Sequence, residues 1–127
     1  MKLLALITTA LTMFLSVLDG QPQPWVSAYY AGWMQDYLLP ADIDFGAVTH
    51  IMHFSIEPSN GPNLSGEANG ITRTTSAAIV KAAHAAGRKV LITCGGSGDD
   101  GEFVAATTAA NREAFIRNLV SFILDNG

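Results

Sequence analysis

Tyr29, Tyr30 and Trp33 cluster at the carboxyl end of one apolar run, Trp25–Trp33, and Phe54 lies near that of the next, Val48–Ile56. Flat rings at the carboxyl ends of parallel strands can stack on the apolar faces of sugar rings. By residue type alone, packing into a core is the simpler account of the same rings. Glu57, just beyond the second run, is placed for a lone site carboxylate, although a solvated loop residue is the plainer reading. No close pair of carboxylates at strand ends supplies an acid and a base, because Asp99 and Asp100 are adjacent in a flexible loop.

The other reactive side chains point to less. His50 and His53, three apart on one strand, face opposite ways and do not readily share a metal ion. His84 falls on an alanine-rich helix, so packing or surface roles suit all three and no metal centre is expected. Cys94 has no sequence neighbour that would activate it as a nucleophile, and it suits a core. A single cysteine also excludes an intrachain disulfide framework and any cysteine-rich zinc site. Gly96-Ser97-Gly98-Asp99-Asp100-Gly101 matches the G-x-G-x-x-G pattern of dinucleotide sites. It follows the third strand instead of the first, sets two aspartates where a pyrophosphate would lie, and stands well before the expected helix cap at Thr107 or Thr108. A nucleotide reading is the weakest of the candidates, and no cofactor is implied.

The elements that position these residues follow from the apolar runs and the turn formers between them. Trp25–Trp33 and Val48–Ile56 have strand length and are bounded by turn residues, with Asp42–Gly46 a turn region between them. Ser59–Asn69 is rich in Ser, Asn, Gly and Pro and is expected to be a loop. Thr74, Thr75 or Ser76 is expected to cap a helix whose body is Ala77–Ala86, with Gly87 as its left-handed stop. Val90–Cys94 is a third strand, apolar on both faces as a covered parallel strand is, and Gly95–Gly101 is a glycine-rich loop. Phe115, Ile116, Leu119, Val120 and Ile123 fall at helical spacing, and Asn126-Gly127 resembles a carboxyl cap. This order describes an α/β protein with parallel strands.

Composition sets the outer limits. The chain has 127 residues, 49% of them hydrophobic and 14% charged, which suits a buried core and argues against general disorder. Seven basic and eleven acidic residues give a net charge of -4. No basic run suited to phosphate backbones is present, so no nucleic-acid partner is expected. Met1-Lys2, the apolar stretch Leu3–Leu18 and the polar break Asp19–Pro24 fit a secretory signal over residues 1–20. The apolar stretch is roughly 16 residues, short of the ~20 that span a bilayer. The expected product is secreted, extracellular or periplasmic, with no membrane partner after signal removal. The alternative is an uncleaved membrane anchor, since the small-residue cleavage pattern is poor and Gly20 is its best cut site.

The three strand stretches are Ser27-Ala28-Tyr29-Tyr30-Ala31-Gly32-Trp33, Val48-Thr49-His50-Ile51-Met52-His53-Phe54 and Lys89-Val90-Leu91-Ile92-Thr93-Cys94-Gly95-Gly96. Together they resemble the start of a glycoside hydrolase family 18 catalytic domain of the bacterial chitinase type. The family opens with a Tyr-Tyr strand, continues with a Thr-His-Ile strand ending in an aromatic, and carries Ser-x-Gly-Gly on its third strand. The helix from Asn111-Arg112-Glu113-Ala114-Phe115 to Asn126-Gly127 also resembles the helix before the family's catalytic strand. The resemblance covers Trp25 to Gly127. It implies the amino-terminal part, about three βα units, of a TIM (β/α)8 barrel that is incomplete and truncated before its fourth strand.

By the same resemblance the substrate is chitin or an N-acetylglucosamine oligosaccharide, with Tyr29 and Phe54 at the floor of the sugar site. Thr93, Gly95 and Gly96 would support the acidic strand from beside it. Thr93 stands where the family usually has serine and keeps the hydroxyl; Ser97 stands where a tryptophan often follows Gly-Gly and removes that stacking platform. The family's Asp-x-x-Asp-x-Asp-x-Glu motif, whose glutamate protonates the glycosidic oxygen, does not occur in the sequence. The resemblance thus implies an enzyme as parent and an inactive chain as given, with a non-hydrolytic carbohydrate-binding protein as the alternative.

Overall fold

The computed structural model describes residues 24–98 and 100–127; the segment read as an export signal lies outside them. Strand β1 (Ser27–Ala31) pairs in parallel with β2 (His50–Ser59), and β4 (Lys89–Cys94) pairs in parallel with β2 as well. Helix α1 (Arg73–Ala85) makes the crossover from β2 to β4, as parallel neighbours require. The β1–β2 connection contains no α-helix and uses two 3-10 turns, Gly32–Met34 and Pro40–Asp42.

Several boundaries differ from expectation for identifiable reasons. Ser59–Asn69 is not a featureless loop. Asn60 and Gly61, both at positive φ, reverse the chain, and β3 (Asn63–Ser65) pairs antiparallel with the end of β2. A 3-10 turn, Glu67–Asn69, follows. The cap of α1 is Thr72, ahead of all three expected positions. Its hydroxyl accepts from the Thr75 amide at 3.2 Å, and the Thr75 hydroxyl accepts from the Thr72 amide at 2.8 Å. The carboxyl end is as expected: Gly87 has φ +67°, its amide bonds to the His84 carbonyl, and the Arg88 amide bonds to that of Ala83.

The expected glycine loop is shorter than it looks in sequence, because α2 (Asp100–Ala106) begins inside it. Thr107 and Thr108 do not cap the following helix; their hydroxyls donate back to the Phe103 and Ala105 carbonyls at 2.7 and 3.2 Å. Helix α3 (Arg112–Asn126) starts after Asn111 instead.

Strand alternation sorts the sheet into two faces. Tyr30, Ile51 and Val90 face α1, where Tyr30 and Ile51 form the core with Ile79 and Ala83. Tyr29, Met52, Phe54, Leu91 and Thr93 alternate to the other face. Tyr29 stays 71% exposed there and Leu91 37% exposed. Helix α3 carries two apolar stripes where one was expected: Phe115 is buried and Leu119 and Phe122 are half-buried, whereas Ile116, Val120 and Ile123 are exposed.

Between the sheet, α1 and the end of α3 lies a cavity of about 50 Å³ lined by His53, Ser76, Val90, Ile92 and Phe122 among others. His53 Nε2 and Ser76 Oγ are buried there with no hydrogen-bond partner among the described residues. Burial lowers the His53 pKa to about 4, so its imidazole is neutral in the folded chain at neutral pH.

Candidate functional site

Phe54 is the hub of the aromatic group at the carboxyl ends of β1 and β2. Tyr29 meets it edge-on at 6.0 Å between ring centroids, and Trp33 meets it edge-on at 5.8 Å. Such edge-to-face contacts hold rings at defined angles and leave other faces free. Trp33 is 52% exposed, so two of the three rings present surface to solvent. Tyr29 and Phe54, the residues singled out in the sequence, are thus brought together on the sheet face that α1 does not cover. Tyr30 goes the other way: it is buried, and its hydroxyl donates to the Leu38 carbonyl at 2.7 Å. Trp33 belongs with the pair, and the 3-10 turn Gly32–Met34 that follows β1 is what carries it to Phe54.

That turn is anchored by close backbone approach. A Cβ on Gly32 would run into the Asn69 carbonyl, and one on Gly70, which has φ +70°, would lie 2.8 Å from the Gly32 carbonyl oxygen. Gln35 Nε2 spans both turns, donating to the Gly32 and Gly70 carbonyls at 3.0 and 3.2 Å. The segment around Gly70 therefore fixes where Trp33 stands.

Asn69, in the same segment, fixes the end of β2. Its side-chain amide donates to Glu57 Oε1 at 2.6 Å and lies 3.1 Å from both the carbonyl and the hydroxyl of Ser55, which is fully buried. Glu57 is accordingly not a solvated loop residue; it is half-buried within β2 and held by a neutral donor. Replacing Asn69 by Leu removes the donor to a buried hydroxyl and to a carboxylate. The expected result is a loss of about 1–3 kcal/mol, read as a lower urea midpoint at unchanged m-value.

At the end of β4, the Gly95 amide donates to the Ile56 carbonyl at 2.7 Å, and its φ of +98° suits glycine. Gly95 is buried and Gly96 exposed. Thr93 is on the face that carries Tyr29 and Phe54, and its hydroxyl is buried with no partner among the described residues. Beyond this, one argument against a nucleotide site falls away, since α2 begins at Asp100, two residues after Gly98, and includes Gly101. The position after a late strand and the acidic residues remain.

His50 and His53 are both buried and lie on opposite faces, as their spacing requires: His50 stacks on Trp25 with centroids 3.5 Å apart, and His53 lies 5.9 Å from Tyr30. Among the described residues no group of three His, Cys, Asp or Glu side chains is arranged to hold a metal ion. Nor is any described helix long and apolar enough to cross a membrane.

The fold is similar to that of known structures. The chain is similar to a chitinase from Rhizomucor miehei, 25% identical with a TM-score of 0.68 over 81% of this chain and 30% of that one. It is also similar to a chitinase from Bacteroides thetaiotaomicron, 22% identical with a TM-score of 0.69 over 83% of this chain and 33% of that one. A Group IV chitinase from Ostrinia furnacalis matches at 17% identity and a TM-score of 0.68, over 81% and 31% of the two chains. A curated relative, a chitinase-like effector from Moniliophthora perniciosa, is 27% identical over 97 residues, which is 76% of this chain and 22% of the relative. No protein-family model matches the sequence. The chain has a mixed α/β, chitinase-like fold, and it spans a third or less of the length of these proteins.

Proposed function

We propose that this chain is the amino-terminal part of the (β/α)8 catalytic barrel of a secreted family 18 glycoside hydrolase acting on β-1,4-linked N-acetylglucosamine polymers. The observation that carries the reading is the ring group: Tyr29 and Trp33 set edge-on to Phe54, at the strand ends where parallel barrels build their sites. Stacking on these rings would place a sugar over the sheet face that Thr93 shares. The Thr93 hydroxyl, buried and without a partner among the described residues, supports a role for that strand beside a neighbour carrying acidic groups. Gly95 and Gly96 would let that neighbour approach closely.

In this reading the catalytic step belongs to the family's fourth strand. Its glutamate protonates the glycosidic oxygen while the substrate's own acetamido carbonyl attacks the anomeric carbon, so the reaction retains configuration without a protein nucleophile. Half-buried Glu57, already accepting a short bond from Asn69, is not assigned that acid's role. The purified 127-residue chain is expected to release no chromophore from an N-acetylglucosaminide above a blank, and a version extended through an acidic fourth strand is expected to release it. Hydrolysis by the short chain would contradict the assignment. A second reading is a non-hydrolytic sugar-binding protein on the same fold: a glutamate at the end of the fourth strand would favour the enzyme, and Gln or Leu there the binding protein. Sugar binding with no hydrolysis in the extended chain would select it.

A further inference from the structure

Asn63-Leu64-Ser65 is the only Asn-x-Ser/Thr triplet in the sequence. It coincides with the whole of β3, the outer strand of the hairpin that closes β2. Alternation along the strand puts Asn63 and Ser65 on the exposed side and leaves Leu64 half-buried as the hairpin's anchor. The Asn63 amide makes one long contact, 3.4 Å to the Asn60 carbonyl.

Other asparagines are engaged quite differently. The amides of Asn69, Asn111, Asn118 and Asn126 donate at 2.6, 3.0, 2.8 and 2.7 Å to groups that fix turns and helix ends. A substituent on any of those would displace a structural bond. On Asn63 it would displace almost nothing. Asn60, the remaining asparagine, is followed by Gly-Pro and forms no such triplet.

We propose that Asn63 is an acceptor of N-linked oligosaccharide, a modification that suits an exposed Asn-x-Ser in an exported chain. The step is a glycosyl transfer. Asn63 Nδ2 bonds to the anomeric carbon of a lipid-pyrophosphate-linked oligosaccharide, the bond from that carbon to the phosphate oxygen breaks, and the amide loses one proton as the lipid pyrophosphate leaves. The donor and the transferase belong to the secretory membrane that the chain enters, which for the test is that of a yeast. Because Asn63 pairs with Ser59 at the far end of β2, the glycan would stand at the same end of the sheet as Tyr29, Phe54 and Trp33. It would project outward from the exposed side of β3.

The proposal rests on the reading of residues 1–20 as an export signal, and the test separates the two. The full chain is expressed in a secreting yeast with its own leader and, in parallel, with residues 1–20 replaced by a proven yeast leader. Mass is read on material in the medium and in the membrane-enclosed fraction, so that retention of a poorly folded product does not hide the modification. The leader-swapped wild type is expected to carry one oligosaccharide on most molecules. Peptide N-glycosidase should remove it and leave aspartate at position 63. Asn63→Gln and Ser65→Ala are expected at the bare peptide mass, and Ser65→Thr at least as modified as wild type. Modification of the leader-swapped chain alone, with the native-leader chain in the cytosol, upholds the glycan and rejects the export reading. A leader-swapped wild type that enters the membrane compartment at its bare peptide mass overturns the proposal.

Discussion

Lowering the pH from 6.5 to 4 is expected to remove up to about 3 kcal/mol of folding stability through His53 alone. Burial in the cavity beside Ser76 lowers its pKa from 6.5 to about 4. Between those values the unfolded chain binds a proton that the folded chain refuses. Stability therefore falls as pH falls through this window and levels off once both states are protonated. Among the described residues no acidic side chain lines the cavity to relieve the charge, and the Tyr30 ring lies 5.9 Å from that of His53. Urea midpoints taken at intervals from pH 7 to about 4.5, above most carboxylate titrations, should give a steep slope in wild type and a shallower one in His53→Leu. Equal slopes would show that the imidazole is not held neutral by burial.

Self-association is the second large effect expected. Tyr29 and Leu91 lie open on the sheet face away from α1, and Ile116, Val120, Ile123 and Leu124 are half or more exposed along α3. Ile116, Val120, Ile123 and Leu124 fall at helical spacing on one helix, and an exposed apolar stripe of this kind tends to be covered by another chain. Among the described residues β4 pairs only with β2, so its outer edge offers unpaired backbone groups to another chain. Light scattering behind size exclusion should give a mass that climbs with concentration above the 13.4 kDa of the chain. Replacing Ile116, Val120 and Ile123 by Gln, Lys and Glu should lower that mass at every concentration. A single monomeric mass with a sharp cooperative melt would mark the chain as a self-sufficient domain.

The strands were the most legible part of the sequence, because each is an apolar run of strand length bounded by turn formers. Which residue faced which way was harder. Tyr29 and Tyr30 are chemically alike and adjacent, so they must face opposite ways; pairing with Met52 and His53 decides the assignment. Glu57 read as solvated because Asn69, which holds it, arrives twelve residues later from a separate turn. Glycines concealed the start of α2, and serines, asparagines and prolines concealed β3. In both cases composition suggested a loop where backbone pairing or helical bonding prevailed. Helix α3 carried too many apolar residues for one stripe, and the sequence alone did not say which would be buried.

Tyr29 and Phe54 meet edge-on, and the proposed function makes them a sugar platform. The direct test is a titration of the chain with a soluble N-acetylglucosamine trisaccharide, in a Trp25→Phe background that leaves Trp33 as the sole indole reporter. Trp25 stacks on His50, on the other ring cluster, and would otherwise mask the signal. The expected result is a saturable change in Trp33 emission, no such change with a glucose trisaccharide, and at least tenfold weaker binding in Phe54→Ala at unchanged circular dichroism, corresponding to about 1.4 kcal/mol or more. Saturable binding that Phe54→Ala leaves untouched, or no binding by the folded chain, would contradict it.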